Sequence, residues 1–127
     1  MKVAILVARI LLGLLFLVFG LNGFLNFLHM PTPQGLAGQY LGALFVSHYL
    51  EAVFRLEIVA AGLLLANRFV PLALALLGPI LVNILLFHSL MAPEGLPMAL
   101  AAALLWAVVF SGVRRSFAGL FAQRVEV

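Results

Sequence analysis

Long apolar runs separated by short polar breaks set the architecture of this chain. From Val3 to Leu25 the sequence is apolar apart from Arg9, Gly13, Gly20, Asn22 and Gly23, and about 20 residues of helix suffice to cross a bilayer's hydrocarbon layer. A second run covers Tyr49 to Ala66 and is broken by Asn67-Arg68. A third covers about residues 70–90, and a fourth about 96–113, with Ala92-Pro93-Glu94-Gly95 between them and Arg114-Arg115 after the last. The pattern predicts an all-α polytopic membrane protein in which residues 1–127 form a single four-transmembrane-helix bundle. The first run is too long for a secretory leader and precedes no soluble region, so it reads as a span. The Asn67-Arg68 break is short enough to make the second and third spans antiparallel neighbours.

Finer spacing adds detail within this frame. Arg9, Gly13, Phe16, Gly20 and Gly23 recur every three or four residues, which puts the glycines on Arg9's face and lets another helix come close there. Between the first two spans, Pro31 and Pro33 end the first helix. Leu36, Tyr40, Leu44 and Phe45 then repeat with helical spacing beside Gln34, Gln39 and Ser47. This predicts a short amphipathic segment lying on the membrane or over the bundle as a lid; the alternative is the first turns of a long second span. Pro79, after Gly78, lacks an N–H and frees the carbonyl of Ala75, so the third span is expected to kink. Trp106 lies inside the fourth span and is expected to pack into the bundle. After Arg115, Phe117, Leu120 and Phe121 share one side of the tail, as suits an interfacial anchor.

Composition supports the membrane reading: 66% of the 127 residues are hydrophobic and 9% are charged, with a mean hydropathy of +1.27. Such a chain has too little polar surface for a soluble globule. The isoelectric point near 10.2 reflects scattered Lys and Arg rather than a basic patch, which excludes nucleic acid as a partner. Lys2, Arg68, Arg114, Arg115 and Arg124 fall on one side of the four spans, whereas residues 26–48 and 91–95 contain no Lys or Arg. That distribution places both termini in the cytoplasm, with a bacterial or archaeal cytoplasmic membrane as the setting. The absence of cysteine removes thiol chemistry, iron–sulfur clusters and thiolate zinc sites from the chain's own repertoire.

The second span alone carries several ionisable residues, Glu51, Arg55 and Glu57. Each costs roughly 2.5 to 3.5 kcal/mol near a bilayer centre and so calls for protein, water or a ligand. At a rise of about 1.5 Å per residue, Arg9 lies about 9 Å and Glu57 about 15 Å above the cytoplasmic boundary, a gap an arginine can reach across. Arg9 and Glu57 are therefore expected to form a buried ion pair, a structural clamp in the plainer reading and part of a proton path in the sharper one. Glu51 and Arg55, at i and i+4, share another face, level with Asn83 and below His48, His88, Asn22 and Asn26. Glu51, Arg55, Asn83 and His88 are the candidate ligand-binding residues, with donors for the oxygens of a quinone-like head group and apolar surroundings for its tail. The plainer reading leaves His48, His88, Asn22 and Asn26 in the wet headgroup zone and gives Asn83 to the backbone around Pro79. Two histidines make a weak case for haem, and no spacing supports a metal site or a phosphate loop.

From Glu57 onward the pattern ExxxxGLLLANRxVPLALALLGPxxVNILLFH, followed by APEGLP and preceded by ARILLGLLFLVFGLNGF, resembles the DoxX family of small four-helix membrane proteins. The resemblance covers nearly the whole chain and is most specific from Arg68 and Pro71 through Pro79, Asn83, Ile84, Phe87 and His88. It implies a subunit or accessory of a membrane oxidoreductase, working with partner subunits in the lipid bilayer. It supplies no catalytic residue. Arg9, Glu57, Asn83 and His88 stand at family-like positions, whereas Glu51 and Arg55 are not matched. The expected function is binding of a quinone or another small hydrophobic molecule, without an intrinsic cofactor. The alternative is a non-enzymatic carrier of a small solute or protons, for which a homo-oligomer would supply the room, or a membrane scaffold.

Overall fold

In the computed structural model, which describes residues 1–127, every regular element is helical. Five α-helices follow in order: α1 (Lys2–Leu25), α2 (Gly35–Val46), α3 (Tyr49–Ala66), α4 (Val70–Leu90) and α5 (Leu96–Val113). A 3-10 turn, Pro93–Gly95, precedes α5, and a 3-10 helix, Arg114–Phe121, follows it.

The helix ends follow from local chemistry. α1 stops at Asn26, which takes the left-handed conformation (φ 51°), one that asparagine tolerates better than most residues. The side chain of Asn22 accepts the Leu28 N–H at 2.7 Å and holds the chain as it leaves the helix. α2 is a helix in its own right: left-handed His48 (φ 65°) breaks it from α3, which disposes of a long continuous second span. At the other end of α3, left-handed Asn67 and Arg68 donate their N–H groups to Leu64 and Leu63, the crossed pair of bonds that closes many helices. Pro71 opens α4, where a missing N–H costs nothing, and Pro79 lies inside α4 without ending it.

α1, α3, α4 and α5 pack in a ring, α1 against α3 and α5, and α4 against the same two; α2 leans on α3. α1 and α3 run antiparallel, since Gly13 faces Ala61 and Leu65 while Gly23 faces Phe54. Leu12, Phe16, Leu64, Leu74, Leu77 and Val109 fill the centre. Only 19 of 127 residues are buried, and large apolar side chains such as Val7, Leu14, Leu72 and Leu104 stand exposed, an arrangement stable where the surroundings are themselves apolar. Three stretches are long and apolar enough to cross a membrane: Lys2–Leu25, Val70–Leu90 and Pro93–Phe121. α3 has the length of a span, 18 residues, and differs in its three ionisable side chains.

At the end of the bundle where α1 and α4 finish, α2 buries Ala37 and stacks Tyr40 on Phe87, with ring centroids 5.7 Å apart. Leu36, Phe45 and Val46 remain exposed. At the opposite end, Phe117 packs on Phe110 at 5.1 Å, while Leu120 and Phe121 remain exposed.

Candidate functional site

The first correction concerns Arg9. Its guanidinium donates to the carbonyl of Leu64, and at 3.5 Å to that of Leu65, at the C-terminal end of α3. No ion pair joins it to Glu57, the one pair within 4.0 Å being that of His48 and Glu51. Side-chain direction explains the difference. On an α-helix the Cα–Cβ bonds tilt toward the N-terminus. In α1 that direction is inward, in antiparallel α3 it is outward, and the two side chains diverge. Arg9 instead adds a charged donor to the Leu64 carbonyl, which also accepts the Asn67 N–H, at the helix pole where a cation is favoured.

Glu57 is the one charged residue in the core, 6% exposed. It packs beside Gly20, whose Cβ, were there one, would lie 3.5 Å from its own. It accepts no hydrogen bond within the chain, and since every fully sealed side-chain polar atom has a partner, its carboxyl keeps an opening to the surroundings.

The expected outer site is dispersed. Glu51 bonds His48 Nδ1 at 3.2 Å rather than Arg55. Arg55 is exposed, on the side of α3 opposite Glu57, Ala60, Ala61 and Leu64, which are buried. Asn83 is exposed too, and its amide donates to the Pro79 carbonyl at 2.9 Å, one turn back. His88 is half-buried; its Nδ1–H donates to the Ala92 carbonyl at 3.0 Å, and its ring occupies the space a Cβ on Gly95 would need. These polar groups serve their own turns. No hydrogen bond or ion pair links Arg55, Asn83 or His88 to one another. Equal depth along antiparallel helices does not put residues on facing sides, and depth was all the spacing gave.

What the spacing did not single out lies between α4, α5 and the C-terminal 3-10 helix. A cleft of about 360 Å³ is lined by Leu74, Ala75, Gly78, Trp106, Phe110 and Phe117, with Leu120 and Phe121 at its edge. Trp106 stacks on Phe110, centroids 5.2 Å apart and planes within 8°, and its indole N–H donates to the Leu74 carbonyl at 3.0 Å. The expectation that Trp106 packs into the bundle therefore holds, with a tie across two helices added. Ala75, on the cleft wall, is the residue whose carbonyl loses its regular partner to Pro79. The sequence signal was the Trp106, Phe110, Phe117 series facing the Gly78-Pro79 step. A second, wholly apolar groove of about 380 Å³ runs between α1 and α5, over Leu15, Val18, Phe19 and Met98.

No protein family, curated protein or solved structure matches the chain.

Proposed function

We propose that the chain is a four-span, DoxX-like membrane protein that binds a quinone-type or other small hydrophobic molecule as an accessory subunit of a membrane oxidoreductase. The observation that carries the binding part is the aromatic cleft beside Trp106, whose volume of about 360 Å³ lies within the range of small-molecule sites. Its walls offer stacking surfaces for a ring. The Trp106 N–H is already engaged with Leu74, and the lining is almost wholly apolar. The cleft thus suits the ring of a hydrophobic molecule, with its polar groups left at the mouth. The oxidoreductase setting rests on the sequence resemblance. α3 completes the set of four spans because Arg55 lies about 9 Å along the helix from its outer end and leans outward, within reach of the interface. Lys and Arg on one side then put both termini in the cytoplasm of a bacterial or archaeal cell.

Trp106 is the single tryptophan, so its fluorescence reports on the cleft directly. Titration of the purified protein with a short-chain quinol is expected to give saturable quenching. Ala75→Phe, which fills the cleft, is expected to weaken binding at least about tenfold, and Arg55→Leu to leave it unchanged. Quenching that never saturates, or that survives in Ala75→Phe, would sink the cleft as the site. Single cysteines at Gly38 and Ala122 are expected to label from opposite faces of the membrane; labelling from the same face would overturn the four-span topology.

A further inference from the structure

The outward faces of α1, α3 and α5 differ in kind. That of α1 presents Val7, Ile10, Leu14 and Val18, and that of α5 presents Met98, Leu100 and Leu104, all exposed and all apolar. α3 presents Glu51, Arg55, Val59, Gly62 and Ala66, also exposed, at spacings of four, four, three and four. Those spacings make one stripe along the helix, opposite the buried Glu57, Ala60, Ala61 and Leu64. The stripe carries both signs of charge one turn apart. Arg55 has no hydrogen bond or ion pair within the chain, and Glu51 has one oxygen on His48, with the other free.

We propose that two copies of the chain associate through this face of α3, with Arg55 of each bound to Glu51 of the other. Charge complementarity selects the occupant. A two-fold axis along the membrane normal sets two α3 helices side by side and parallel, so an acidic and a basic residue one turn apart meet their opposites twice, the self-complementary contact of a closed dimer. Arg55 leans toward the N-terminus of its helix, which is the direction of Glu51's level, and so spans the turn between them. At the far end of the stripe a Cβ added to Gly62 would meet nothing within 4 Å, which leaves room for the second helix to approach. Away from water such a pair is stronger than on a soluble surface, and it takes up a charge that a lone Arg55 could place only by reaching to the interface. The proposal is independent of the cleft, which lies between other helices.

The chain has no cysteine, so single cysteines report on proximity cleanly. In oxidised native membranes Gly62→Cys is expected to give a disulfide-linked dimer and Ile10→Cys, on the outward face of α1, is not. In vesicles of phosphatidylethanolamine and phosphatidylglycerol, Arg55→Glu and Glu51→Arg are each expected to weaken the dimer at least about tenfold, and the two together to restore it to within about threefold. Restoration is the decisive readout, since a merely misfolded variant would not recover. Crosslinking of Gly62→Cys no stronger than that of Ile10→Cys, or a double variant as weak as the singles, would overturn the proposal. A monomer that retains phosphatidylglycerol and loses it in Arg55→Leu would overturn it in favour of a lipid headgroup as the partner of Arg55.

Discussion

The α1–α3 and α4–α5 contacts are built on opposite plans. Between α1 and α3 the approach is set by glycines: a Cβ on Gly13 would lie 2.8 Å from Leu65, and one on Gly20 would lie 2.8 Å from Ile58 and 3.3 Å from the Phe54 carbonyl. The two backbones come close, and Arg9 ties the α1 side to the Leu64 carbonyl of α3. Between α4 and α5 the contact is made by large rings, Trp106 and Phe110, with one hydrogen bond from indole to backbone. Large side chains touch at a few places and leave volume between them, here a cleft of about 360 Å³. Small residues leave none. The tight pair thus acts as the frame, and the capacity to hold a molecule falls to the pair that does not close.

Glycine substitution is the most forceful way to break that comparison. Gly20→Leu forces four carbons into occupied space against backbone as well as side chain, and is expected to cost about 3 kcal/mol. Gly78 is the counterpart on the other interface: a Cβ there would meet Trp106 at 3.7 Å, an ordinary contact. Gly78→Ala is therefore expected to change stability by less than about 1 kcal/mol, on the side of gain, because alanine suits a helix interior better. Denaturant or thermal unfolding in detergent reads both. Similar losses at the two positions would show that the interfaces do not differ as described.

How legible each contact was in the sequence follows from the same contrast. Glycines at spacings of three and four announce a close helix contact without any knowledge of the partner, and Gly13, Gly20 and Gly23 do face α3. Helix ends were legible at Asn67 and the Ala92–Gly95 turn, which act through their own backbones, whereas α1, expected to end at Pro31 and Pro33, already stops at left-handed Asn26. The break at His48 was not, because a left-handed histidine has no sequence signature and the composition of residues 36–47 permitted either reading. The outer site failed for a different reason. Glu51, Arg55, Asn83 and His88 were joined by depth alone, which fixes one coordinate, while the direction around each helix turns Arg55 and Asn83 outward. Trp106 was assigned to the bundle, but its bond to Leu74 needed the register between α4 and α5, which nothing local encodes.

The smallest effect expected, a coupling near zero between Arg9 and Glu57, is the most direct check on Arg9. Arg9→Ala removes charged hydrogen bonds to the end of α3, and a loss of about 2 kcal/mol is expected from bonds of that kind. Glu57→Ala removes a core carboxyl seven residues from the Leu64 carbonyl that Arg9 binds, about 10 Å along the helix. Groups that far apart with no shared partner perturb stability independently, so the double variant is expected to equal the sum of the singles to within about 0.5 kcal/mol. A neutralised ion pair would behave otherwise: each single change would strand a buried charge, and the second would relieve part of the first. Unfolding of the four proteins of this cycle in one detergent measures the coupling. A coupling above about 1 kcal/mol would mean that Arg9 and Glu57 meet after all. A coupling near zero would leave Arg9 as the cap on α3 and Glu57 as a core carboxyl held by the close approach of Gly20.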